Sequence, residues 1–267
     1  MTSKKKFKLS VISALHYYKL IFRSVFFIAA LVIYIVGKLK NSENSFGGLE
    51  DSPVVLSVIG IVFLVEMLLR FFPSRVESMG CQKQFPRNYS PTEHTDKPKR
   101  FDKSVLFVAL FWVALNGVIA ALYYLEVIDA GILVLISLAY SVCDMICILF
   151  FCPFQTWFMK NKCCGSCRIY NWDYAMMFTP LVFVPNILAR GLFAVAFILL
   201  LVWEITAFLH PERFSPATND CLSCANCKEK LCHHKRQLRH FLRKNKHLLI
   251  LKGNAIIEKA KKKISKK

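Results

Sequence analysis

Four cysteines stand in one short run near the C-terminus, Cys221-x2-Cys224-x2-Cys227-x4-Cys232, followed at once by His233 and His234. Two-residue spacers let successive sulfurs of one turn point at a common centre, which is how thiolates ligate soft metals. Four thiolates meet the tetrahedral demand of zinc or the ligand count of one iron–sulfur cluster, and the spacing leaves both open, with an unmetallated tail as the bland alternative. A second group lies in a loop between two apolar stretches: Cys152-Pro153, then Cys163, Cys164 and Cys167. Adjacent cysteines point apart, so Cys163 and Cys164 face one ion only through a tight turn. This group holds its own metal, completes the tail site, or is a metal-free or palmitoylated loop. Metal at a membrane surface is the first expectation.

A second set of chemistry-bearing residues falls inside apolar runs. Glu66, Asp144 and Glu204 are read as the ionisable residues at bilayer depth, all toward one end of their runs. Carboxylates there are costly, by roughly 2.5–3.5 kcal/mol each on insertion scales, so they face a bundle interior or water and often mark ion or proton paths. Glu66 and Glu204 lie close enough to their helix ends to reach interfacial water, which leaves Asp144 as the strongest of the three. Cys143 and Cys147 flank it four residues apart on one helix face, a spacing that suits a soft-metal path but is met more often by packing residues.

The elements that must carry these groups follow from charge segregation. The 267 residues are 55% hydrophobic yet carry a formal net charge of +19. One soluble domain rarely combines the two, and the chain separates them. Apolar runs from Leu20 to Val36, Val54 to Phe71, Val105 to Leu125, Ala130 to Phe151 and Tyr174 to Leu209 alternate with short basic segments. Each is near or above the ~20 residues that cross a bilayer as a helix. The last is too long for one helix and carries Pro180, Pro185, Asn186 and Arg190, so it is read as two spans turning near Pro185 to Gly191.

The expected fold is therefore all-α: a polytopic bundle of six transmembrane helices over residues 18–209, after a basic N-terminus at 1–17. A Cys-rich loop at 152–173 and a tail at 210–267 complete it. Six spans leave only Lys38, Lys40 and Arg190 outside, so thirty-three of the 36 basic residues fall on the inner face and both termini are cytoplasmic. One helix preceded by a re-entrant piece would instead put the tail opposite the N-terminus. Val36-Gly37-Lys38 is not a small-residue cleavage site, so the first span is read as retained. No cysteine falls outside, and a reducing cytosol favours thiols over a disulfide framework.

Several helices, the helix-end element Phe151-Cys152-Pro153-Phe154 and the Cys-x2-Cys-x2-Cys start of the tail together resemble the membrane-bound ferredoxin-type proteins that pass electrons between quinol and soluble reductases. The resemblance implies electron transfer near the membrane surface, iron–sulfur centres, and a quinone or soluble redox protein as partner.

From Lys235 the tail repeats Leu238, Phe241, Leu242, Leu248 and Leu249 at helical steps, with Arg239, Arg243, Lys244 and Lys246 between them. Residues 210–267 hold sixteen Lys and Arg against four Asp and Glu. A basic amphipathic helix of this kind gains about 1 kcal/mol per basic residue at an anionic lipid surface, which favours lipid over nucleic acid as its partner. His233, His240 and His247 recur along one side as solvated residues. Tyr170, Trp172 and Tyr174 read as an aromatic belt at the membrane boundary. No phosphate loop, nucleophile elbow, His-Glu-x-x-His or paired-carboxylate motif names a reaction.

The leading expectation is an integral membrane metal-binding protein that exchanges electrons through cytoplasmic thiolate sites. A non-catalytic scaffold with a zinc-stapled loop and tail, and a soft-metal transporter or sensor using Cys143, Asp144 and Cys147, are the rivals.

Overall fold

The computed structural model describes residues 11–39, 53–73, 79–92, 102–161 and 166–223. Among these, the regular elements are helical, and an isolated antiparallel bridge pairs Pro91 with Asn219. The long helices are α1 (Val11–Leu39), α2 (Pro53–Leu68), α4 (Lys103–Tyr124), α5 (Ala130–Leu149) and α7 (Ile187–Leu209). Two short ones, α3 (Met79–Gln84) and α6 (Asp173–Phe178), complete the set. Four helices are long and apolar enough to cross a membrane: Ala14–Leu39, Lys103–Tyr124, Ala130–Leu149 and Ile187–Leu209. Their outward faces carry large apolar side chains, among them Ile21, Val25, Leu110, Val113, Ile198 and Ile205, which water would not tolerate in such density. This is the surface of a membrane protein.

Polar residues set the helix ends. Asp102 accepts from the Ser104 N–H at 2.9 Å, Asp129 from Ile132 at 2.9 Å, and Asn186 from Leu188 at 2.8 Å, each relieving an orphan donor of the first turn. Asp129 also meets Lys38 and the Tyr34 hydroxyl, both at 3.0 Å. Partial burial raises the pKa of that carboxyl, but the Ile132 N–H, Lys38 and Tyr34 outweigh it and hold it below its ordinary value. At the other end of α4, Glu126 N–H bonds Tyr123 O and Val127 N–H bonds Leu122 O, both at 3.0 Å. That is a Schellman closure, with Glu126 at φ 57° in the place glycine usually takes.

Contacts fix the order of the helices. Lys38 of α1 meets Asp129 before α5, Ala30 packs on Leu135 and Leu138, Arg23 meets Asp144, and Tyr17 meets Phe150. The two helices are therefore antiparallel along their length.

The expected fifth span takes a different form. It is the six-residue α6 continued by a 3-10 turn, Thr179–Phe183, and the chain breaks at 184–186 before α7. Gly191, expected in the turn, lies inside α7. The segment nevertheless runs from Asp173, bonded to Arg70, to Phe183, whose ring meets Tyr124 at the far end of α4. Tyr174, Met177, Phe178, Leu181 and Val184 are all buried and form one cluster with Phe63, Leu133, Leu199 and Trp203. Irregular backbone at membrane depth survives only where protein surrounds it and satisfies its polar groups. Here Ser137 donates to Met177 O at 2.9 Å and Trp112 to the Thr179 hydroxyl at 3.2 Å.

Candidate functional site

Two features occupy the half of the bundle near Arg70 and Asp173: a buried ion network and a cavity that shares a wall with it.

The network is built on Arg23, which is 3% exposed. Its guanidinium donates to the Ser141 carbonyl at 3.1 Å, Asp144 Oδ2 at 3.0 Å and Glu66 Oε2 at 2.9 Å, and lies over the Phe63 ring. Glu66 also accepts from the Tyr174 hydroxyl at 2.9 Å and pairs with Lys19 at 3.2 Å. One turn beyond Glu66, Arg70 makes a two-pronged bond to Asp173, at 2.9 and 2.5 Å, and sits over the ring of Tyr174. Lys19, Arg23 and Arg70 thus neutralise Glu66, Asp144 and Asp173. Charges so far from water persist only when paired and fully hydrogen-bonded.

Glu66 and Asp144 are legible in the sequence as candidates, but the cations that meet them are not. Arg23 and Arg70 sit within Leu20 to Val36 and Val54 to Phe71, runs read as apolar spans. Only a general signal points to them, since a carboxylate at bilayer depth demands a cation and an arginine there is itself informative. Glu204, expected to reach interfacial water, is partly exposed and receives both prongs of Arg168 at 2.7 Å and the Trp172 indole N–H at 2.5 Å. Trp172 and Tyr174, read as belt aromatics, each donate to one of these carboxylates, and Tyr174 is buried. Asn171 beside them bonds Gln84 at 2.8 Å, tying this segment to α3.

The cavity has a volume of about 360 Å³. Its wall comes from α4 (Trp112), α5 (Tyr140, Cys143, Asp144, Ile146, Cys147), the turn after α5 (Cys152, Pro153, Phe154, Gln155), and Cys167, Ile169, Tyr170 and Asp173 with Met176 of α6. Four of the cysteines singled out from the sequence therefore meet at one apolar space, together with Asp144. Cys143 and Cys147, most simply read as packing residues, both open onto it. Cys147 and Cys152 are neighbours on this wall. Cys152 Sγ accepts the Gln155 N–H at 3.4 Å in the π-helical turn Phe154–Phe158.

The first cysteine of the tail run is held elsewhere, in a cap formed by residues 79–92 and 211–223. Asn219, fully buried, donates to the carbonyls of Lys83 at 3.0 Å and Arg213 at 2.9 Å and accepts from the Cys221 N–H at 3.2 Å. Cys221 Sγ donates to the Asn88 carbonyl at 3.0 Å. Cys163, Cys164, Cys224, Cys227 and Cys232 lie outside the described residues, as do His233, His234 and the basic tail helix. Among the described residues, no three His, Cys, Asp or Glu side chains come together as a metal-ligand set. Of the loop group, Cys152 and Cys167 are placed among the described residues, both on the cavity wall.

No family model, no curated protein and no solved structure matches this chain.

Proposed function

We propose that this chain is an integral membrane redox protein that exchanges electrons between thiols and a quinone-class lipid held in the thiol-lined cavity. The observation that carries the reading is the convergence of Cys143, Cys147, Cys152 and Cys167 on one apolar cavity of about 360 Å³. That volume lies in the range of small-ligand sites, and its aromatic wall suits a flat ring with an apolar tail. An acyl chain could fill the same space, but it would leave four thiols without chemistry to do.

Six crossings with both termini cytoplasmic belong to the same proposal, with 173–186 as a short crossing inside the bundle. The antiparallel contacts and the excess of basic residues on the inner side support it. The cavity then opens toward the reducing side, where a soluble dithiol can supply electrons. Anionic lipid at that face is the proposed partner of the basic tail. We assign the run Cys221, Cys224, Cys227 and Cys232 as the zinc or iron–sulfur site, its first sulfur positioned by the Asn219 cap. Metal and sulfide analysis of anaerobically purified protein tests that assignment: bound zinc, or iron with a brown colour, is expected, and metal-free protein overturns it.

The cavity is tested in nanodiscs with a short-chain quinone. Saturable quenching of Trp112 fluorescence is expected, lost in Trp112→Phe and weakened in Ile146→Phe, which fills the cavity. Quenching that never saturates, or that Ile146→Phe leaves unchanged, overturns the quinone reading.

A further inference from the structure

We propose that Cys147 and Cys152 form a redox-active dithiol that closes to a disulfide as electrons pass to the quinone-class ligand, an inference that rests on the cavity reading above. The pair is not the one that sequence spacing suggests. Cys143 and Cys147, four apart, share a helix face, whereas five positions of continuous helix would turn Cys147 and Cys152 about 140° apart.

The helix break is what brings them together. α5 ends at Leu149, the N–H groups of Phe150 and Phe151 both close on Ile146 O at 2.8 and 3.1 Å, and Pro153 then starts a new turn. Past this break Cys152 lies beside Cys147 on the cavity wall. The Gln155 N–H, directed at Cys152 Sγ, makes Cys152 the sulfur best placed to carry negative charge during the reaction. Both residues line the cavity, so an oxidant bound there lies next to them.

The step balances as written. Two S–H bonds break and one S–S bond forms, two electrons pass to the quinone ring, and two protons end on the two quinol oxygens. A cytosolic dithiol protein resets the pair by exchange and leaves as its own disulfide.

The experiment uses the full chain, reduced and then freed of reductant under anaerobic conditions in nanodiscs. A short-chain quinone or diamide is added, remaining thiols are alkylated, and linked peptides are mapped by mass spectrometry. Quinone is expected to join Cys147 to Cys152 while forming an equal amount of quinol. Cys143→Ser should retain the reaction; Cys147→Ser and Cys152→Ser should lose it, with their unfolding temperatures measured alongside to show that they remain folded. If quinone binds yet both cysteines stay alkylatable, the dithiol proposal is overturned while the cavity reading stands. If diamide joins the pair but quinone neither binds nor reacts, the dithiol stands and the quinone reading fails. A linkage from either cysteine to Cys143 or Cys167 in place of the pair also overturns it.

Discussion

Arg23 shows how one side chain can decide whether several others are tolerable. It serves both Glu66 and Asp144, and its removal leaves Asp144 without its paired cation and Glu66 with Lys19 alone. Arg23→Met is expected to destabilise the protein by about 3–5 kcal/mol, the cost of breaking a buried pair from one side. Arg23→Lys should fall between it and the native protein, because one ammonium cannot reproduce the fork that spans two acids. Adding Asp144→Asn to Arg23→Met should recover part of the loss by removing the orphaned charge. Tyr174→Phe removes a single donor to Glu66 and should cost only about 1–2 kcal/mol. Unfolding in mixed detergent micelles measures all four. An Arg23→Met protein as stable as the native one would show that the network carries no such weight.

At the scale of elements, the ends of α4 and α5 separate local chemistry from tertiary demand. Asp102 and Asp129 cap their helices through purely local contacts, each carboxylate accepting from a backbone N–H two or three residues on. The end of α4 differs: the left-handed position falls on Glu126, where a Cβ is unfavourable. Glu126→Gly should therefore stabilise the protein by about 1 kcal/mol, less the entropy glycine gains when unfolded, and raise the unfolding temperature. A lower temperature would mean that the Glu126 side chain contributes more than its backbone costs. The stretch 173–183 is the opposite case. Its composition reads as an ordinary span, and only its burial among α2, α5 and α7 lets it depart from a regular helix.

For the whole molecule, the proposed topology makes a direct prediction. Reporter fusions at Lys267 and in the loop 41–50 should report opposite sides of the membrane, and fusions at the N-terminus and Lys267 the same side. A Lys267 fusion on the outside, with the N-terminus inside, would remove the short crossing and, with it, the reducing environment proposed for the tail cysteines. The antiparallel fit of α1 on α5, from Lys38 and Asp129 to Tyr17 and Phe150, is why one short segment decides the sidedness of everything after it.

The sequence by itself determined that the chain is helical and suited to a membrane, because uninterrupted apolar length is a one-dimensional property that a bilayer reads directly. It also marked Glu66, Asp144, Glu204 and the cysteines of the fourth run as residues needing an explanation, since their types conflict with their surroundings. It could not choose their partners. Arg23 lies 121 positions from Asp144, and Arg168 lies 36 from Glu204, so no spacing rule connects them. The cavity is likewise a product of packing: Cys143 and Cys147 lie on one helix, Cys152 on a turn that reverses it, and Cys167 beyond a loop. Helix periodicity predicts which residues share a face, but a break in the helix cancels that periodicity, and only the tertiary structure says which sulfurs then meet.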